Sequence, residues 1–132
     1  MPLTPGDIDV ETDAAGAYRI QALWPDAVVD PVILCEELTY RTHLGHLSID
    51  GVPVEIMGQV ERREGDVWVS TAASTETVLE LDGVPVPVAW LEEEALAYVR
   101  RGRLERTAQC LPYCDRDRLL SLLRRDVPTA VI

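Results

Sequence analysis

Residues His46 to Met57 place the tightest constraint on the fold. Leu47 and Ile49 alternate with Ser48 and Asp50, Asp50-Gly51 supplies a two-residue turn, and Val52, Val54 and Ile56 resume the alternation. Period-two apolar patterning on both sides of an Asp-Gly step predicts a β-hairpin with one face on a core. That face has to be covered, and the flanking segments supply the cover.

Asp13 is placed to cap a helix from about Ala14 to Leu23, which Pro25 ends. Val28 to Leu34 is an extended run broken by Pro31, as suits an edge strand or a bulge. A second hairpin is predicted over Gly58 to Thr71, with Glu64-Gly65-Asp66 as its turn and Val67-Trp68-Val69 as its outgoing strand. Thr77 to Leu81 reads as a strand ended by Asp82-Gly83, and Val84-Pro85-Val86-Pro87 as a stiff connector.

Ala89 to Arg101 is the clearest helix. Glu92, Glu93 and Glu94 sit in its first turns, Arg100 and Arg101 in its last, and Gly102 follows. Its predicted apolar stripe is Leu91, Ala95 and Val99. Further helices are expected from Leu104 to Leu111 and from Arg116 to Arg124, the latter capped by Asp115. The order implies an α+β protein: a mixed or antiparallel sheet with helices packed on it. The 132 residues suit one domain, 1–132, with C-terminal helices over about 89–125.

Composition narrows the function. With 23 acidic against 12 basic residues the net charge is -11, which repels a nucleic-acid backbone and makes nucleic acid a poor partner. The 47% hydrophobic content is enough for a core and argues against disorder. No apolar run approaches the roughly 20 residues a bilayer requires, and no leader is visible, so no membrane partner is expected. Three cysteines do not make a disulfide framework, and a cytoplasmic location is the simplest expectation.

Gly6-Asp7-Ile8-Asp9-Val10 carries the chemistry. In a strand Asp7 and Asp9 project to one face while Ile8 and Val10 turn to the core. Paired carboxylates repel, and a divalent cation relieves that repulsion. Val54-Glu55-Ile56 places a third carboxylate between apolar neighbours in a predicted strand. If the two strands adjoin, Asp7, Asp9 and Glu55 can hold two ions roughly 3.5–4 Å apart, an arrangement suited to in-line phosphoryl or nucleotidyl transfer. Glu55 or Asp9 would then orient the attacking hydroxyl and accept its proton.

The wider text adds a resemblance. Gly6-Asp7-Ile8-Asp9-Val10-Glu11-Thr12-Asp13, then Val52-Pro53-Val54-Glu55-Ile56-Met57-Gly58, then Val86-Pro87-Val88 leading into Leu91-Glu92 and Tyr98 together resemble the nucleotidyltransferase superfamily. This is the DNA polymerase β-like fold, and the nearest likeness is to its minimal and aminoglycoside nucleotidyltransferase-like members. The similarity runs to about Leu111.

The resemblance implies that Asp7, Asp9 and Glu55 are catalytic and hold Mg²⁺ or Mn²⁺. It implies transfer of a nucleoside monophosphate from a nucleoside triphosphate to a hydroxyl of a small molecule or protein. Family members also carry a Gly-Gly or Gly-Ser motif ahead of the Asp-x-Asp strand, which holds the nucleotide phosphates. The sequence has no such pair, and Gly6 abuts Asp7 too closely to replace it. The expectation is then either a shortened version of a longer protein or a chain that has lost catalysis. Arg19, Arg41 and Arg62 are the candidate replacements for binding the nucleotide. The alternative is an inactive interaction module of the same fold, pairing with itself as a dimer or with a helical protein partner.

Other residues carry weaker signals. His43, His46, Cys110 and Cys114 could be combined into a zinc site, but strand periodicity sends the two histidines to opposite sides. Cys35 is expected to be buried. Trp24, Trp68 and Trp90 are expected in the core or at an interface, and Glu92-Glu93-Glu94 as a solvated helix start.

Overall fold

The computed structural model describes residues 6–71 and 73–126. They fall in two compact units, one within Thr4–Ala72 and one within Ala73–Ile132.

The N-terminal unit is a sheet carrying one helix. Its elements are β1 (Ile8–Thr12), α1 (Ala14–Leu23), β2 (Val28–Glu36), β3 (Tyr40–Ile49), β4 (Val52–Glu64) and β5 (Val67–Ser70). The strand order is β1-β4-β3-β2, with β5 also paired to β4. Only β1 runs parallel to its neighbour; the other pairings are antiparallel. The mixed, mostly antiparallel sheet is the α+β architecture expected.

The central hairpin forms as its sequence demands. Asp50 and Gly51 both take positive φ, 50° and 77°, which is the turn geometry that matches strand twist. The turn sets Ile49 opposite Val52 and Leu47 opposite Val54. Val54 and Ile56 from β4, Leu47 from β3, Val32 from β2 and Ala17 from α1 form the buried core.

Helix α1 starts where Asp13 accepts a hydrogen bond from the Gly16 N–H at 2.6 Å. It lies so close to the sheet that a Cβ on Gly58 would sit 2.7 Å from the Ala17 Cβ. Gln21 on α1 accepts a hydrogen bond from the Val32 N–H at 2.7 Å, where β2 departs from regular pairing beside Pro31. Pro31 therefore occupies an irregular edge strand, as its missing N–H requires.

Strand β4 is one continuous strand from the first hairpin into the second. Along one edge it pairs with β1 through Gly58 and with β5 from Glu61. Between them Gln59 takes φ 55° at a register shift against β3, so a bulge marks the handover.

The C-terminal unit contains β6 (Thr77–Leu81), β7 (Val84–Val88), α2 (Leu91–Arg100), α3 (Leu104–Cys110) and α4 (Arg116–Asp126). The segment expected as a connector is strand β7. Asp82 and Gly83, at φ 49° and 79°, turn β6 back onto it. The prolines do not prevent pairing. Leu81 opposite Val84 closes the turn, so Pro85 and Pro87 fall at the alternate positions whose nitrogens point away from β6.

Helix α2 ends in a Schellman arrangement: Arg103 N–H donates to the Tyr98 carbonyl at 2.8 Å and Gly102 N–H to that of Val99 at 3.0 Å. Of its expected stripe Ala95 is buried, Leu91 is half-buried and Val99 is exposed. Thr107 on α3 donates to the Ala95 carbonyl at 3.4 Å, and Asp115 caps α4 by accepting from the Arg118 N–H at 3.0 Å.

The glutamate run is not a solvated helix start. Glu92 is only 3% exposed, with Arg118 Nη1 3.9 Å from its carboxylate and the same guanidinium stacked over Trp90. Glu93 accepts hydrogen bonds from the N–H groups of Ser74 and Thr75, at 2.9 and 3.0 Å, and from both hydroxyls. Burial pushes the Glu93 carboxyl up, but those donors outweigh it and hold the group below the ordinary value. Among the described residues no helix is long and apolar enough to cross a membrane.

Candidate metal centre

Strand β1 and its approach aim the two aspartates. Asp7 stands one residue before the strand and Asp9 within it, both exposed and two positions apart. Val10, on the opposite face, packs against the core under α1. Ile8 was expected beside it but is 53% exposed, because the strand begins there.

The parallel pairing of β1 with β4 puts Ile8 against Val54, Asp9 against Glu55 and Val10 against Ile56. Apolar residues thus meet on the face that α1 covers and carboxylates on the opposite one. One ligand oxygen from each of Asp7, Asp9 and Glu55 lies within 4.8 Å of the others, and Glu55 is half-buried. Three like charges at this spacing repel through a partly shielded surface. A small hard cation taking oxygen ligands relieves the repulsion, so the donor set fits a divalent metal.

The cluster extends one strand further. His46 on β3 is the register partner of Glu55, with Nε2 3.8 Å from its Oε1. On its other side Nδ1 lies 3.1 Å from Oδ2 of Asp30 on β2. The meeting of His46 with Glu55 has a local signal in the sequence. The two-residue Asp50-Gly51 turn sets Ile49 opposite Val52, and counting back from it sets His46 opposite Glu55.

The histidines do point to opposite faces. His43 is on the helix side, where its Nδ1 is 2.8 Å from the Tyr18 hydroxyl. Among the described residues the acidic trio is the group of three or more potential metal ligands that converges. Cys110 is buried and Cys114 half-buried, and burial pushes both thiols up. A raised thiol is a poor nucleophile. Cys35, expected buried, is only half-buried.

The three arginines do not gather at the carboxylates. Arg41 pairs with Glu61 at 2.9 Å and with Glu36 at 3.7 Å, and stacks over Trp68 at 4.5 Å. Arg62 pairs with Glu64. Both lie at the far end of the β3–β4 ladder, about 20 Å along the strand from Glu55. Arg19 is exposed on α1. Trp68 and Trp90 are half-buried beneath arginines, whereas Trp24 is 50% exposed and so lies outside the core, the first of the two places expected for it.

A mixed sheet with a helix on one face and a carboxylate trio where its parallel strand joins defines a nucleotidyltransferase-like protein. The chain belongs to the aminoglycoside-2''-adenylyltransferase family, whose model matches residues 3–109. It is also similar to a protein of Thermotoga maritima whose crystal structure is described as that of a "putative nucleotidyltransferase". The two are 33% identical, the match covers 85% of this chain and 71% of that one, and the TM-score is 0.71. No curated protein matches the chain.

Proposed function

We propose that the protein transfers a nucleoside monophosphate from a nucleoside triphosphate to a hydroxyl of a small molecule or protein, with Mg²⁺ or Mn²⁺ at Asp7, Asp9 and Glu55. The observation that carries this reading is the convergence of the three carboxylates within 4.8 Å in a chain of this family.

The bound cation would lower the pKa of the attacking hydroxyl and neutralise charge on the transferring and leaving phosphates. The chain's own residues do the rest. Asp7 and Asp9, exposed on the strand edge, anchor the metal end of the triphosphate. Glu55, recessed on β4, faces the acceptor side and takes the hydroxyl proton. The rigid β1–β4 pairing fixes the distance between these roles.

The family match supports transfer chemistry over a purely structural interaction module. Isothermal titration with Mg²⁺ and a non-hydrolysable triphosphate tests the reading. Heat of binding in the wild type and its loss in Asp9→Asn are the expected results. No binding in the wild type, or equal binding in the variant, overturns it.

A further inference from the structure

The face of the sheet opposite α1 carries a polar row that runs on from Glu55 of the carboxylate trio. His46 sits on β3 between Asp30 on β2 and Glu55 on β4, each its register partner. Asp30 Oδ2 lies 3.1 Å from Nδ1. A carboxylate accepts and does not donate, so Nδ1 carries the proton in that contact. This leaves Nε2 to face Glu55 Oε1, at 3.8 Å.

That gap is too long for an N–H···O hydrogen bond. It leaves room for one cation between the two atoms: bonds of roughly 2.1 Å meeting at the tetrahedral angle set N and O about 3.4 Å apart, so a small side-chain shift brings both onto one ion. An imidazole whose far nitrogen donates to a carboxylate is the usual support of a metal-bound histidine. His43 offers no such geometry, being engaged by Tyr18 on the other face of the sheet.

Resting on the metal-site reading above, we infer that His46 Nε2 joins Glu55 as a ligand of a cation on the β3 side of the acidic cluster, with Asp30 as its positioning residue. Imidazole suits borderline cations and carboxylate alone suits hard ones. The Glu55 position therefore favours Mn²⁺, Co²⁺ or Zn²⁺ over Mg²⁺.

The test uses the full chain without a histidine tag and Mn²⁺ alone as the probe. The chain has 2 histidines, so an imidazole nitrogen coupling in pulsed electron paramagnetic resonance has two sources to separate. The expected result is a coupling present in the wild type and His43→Gln and absent in His46→Gln. Mn²⁺ affinity falls roughly 10–100-fold in Asp30→Asn, with the coupling retained. Selective ¹⁵N-histidine labelling of the wild type decides whether an imidazole is bound even if a variant fails to fold. Mn²⁺ bound without imidazole coupling, and released by Asp9→Asn, overturns the histidine ligand and leaves the carboxylate site standing. Mn²⁺ that does not bind the wild type overturns both.

Discussion

Asp9 and Glu55 are register partners across the parallel pairing of β1 and β4, although 45 residues separate them in the chain. Their proximity is fixed by backbone pairing and not by any attraction between the side chains. Removing one charge should therefore spare the fold and spoil the site. Asp9→Asn is expected to unfold within a few degrees of the wild type when no divalent cation is present. With cation at about 100-fold its Kd the wild type gains about 2.7 kcal/mol, and the variant gains none. Thermal melts with and without Mn²⁺ make the comparison.

At Gly58 α1 and β4 approach closely. An added Cβ would meet the Ala17 Cβ at 2.7 Å and the Asp13 carbonyl at 3.0 Å. Gly58→Ala is expected to cost about 1–3 kcal/mol in urea unfolding, because both neighbours are fixed by the helix start. Pairing it with Ala17→Gly should recover part of the loss, giving a non-additive cycle.

Glu93 makes stability depend on pH. Its carboxyl is held below the ordinary value of 4.5, so its contribution is complete above that value and is lost as pH falls through the lower folded-state one. Glu93→Gln is expected to lower stability by about 1 kcal/mol at neutral pH, since the group is partly solvated. The difference from the wild type should shrink as pH falls below 4.5. Urea midpoints on either side of that value measure it.

Cys110 is buried and burial pushes its thiol up, as it does that of half-buried Cys114. A thiol-reactive dye at neutral pH is expected to label Cys35 first and Cys110 only as fast as the protein opens. Labelling sites read by mass spectrometry check the order.

Much of this was legible from sequence where the signal was local. Asp13, Asp115 and Gly102 announce helix ends through their own side chains or their own φ. Asp50-Gly51 announces a hairpin, and that hairpin carries the register that sets His46 beside Glu55. The meeting of Asp9 with Glu55 is another matter. No turn joins β1 to β4, so alternation alone offers their meeting only on the condition that the strands adjoin, and the family resemblance supplies that condition.

Burial of Glu92 was hidden for a similar reason. Its partner Arg118 arrives from α4, and nothing within the glutamate run distinguishes the residue that α4 will cover. Strand β7 was misread because proline is judged by type, whereas its effect depends on which side of a ladder its nitrogen faces. Arg41 looked available until the β3–β4 ladder placed Glu61 beside it, whereas Arg62 is engaged by Glu64 two residues further along its own strand.

Among the described strands β1 lies at the margin of its sheet, beside β4. Peeling it away would carry both aspartates off together and leave Glu55 behind. A cation gripping all three would act as a clasp on that outermost ribbon, so its affinity and the slowing of amide exchange in β1 would report one and the same free energy.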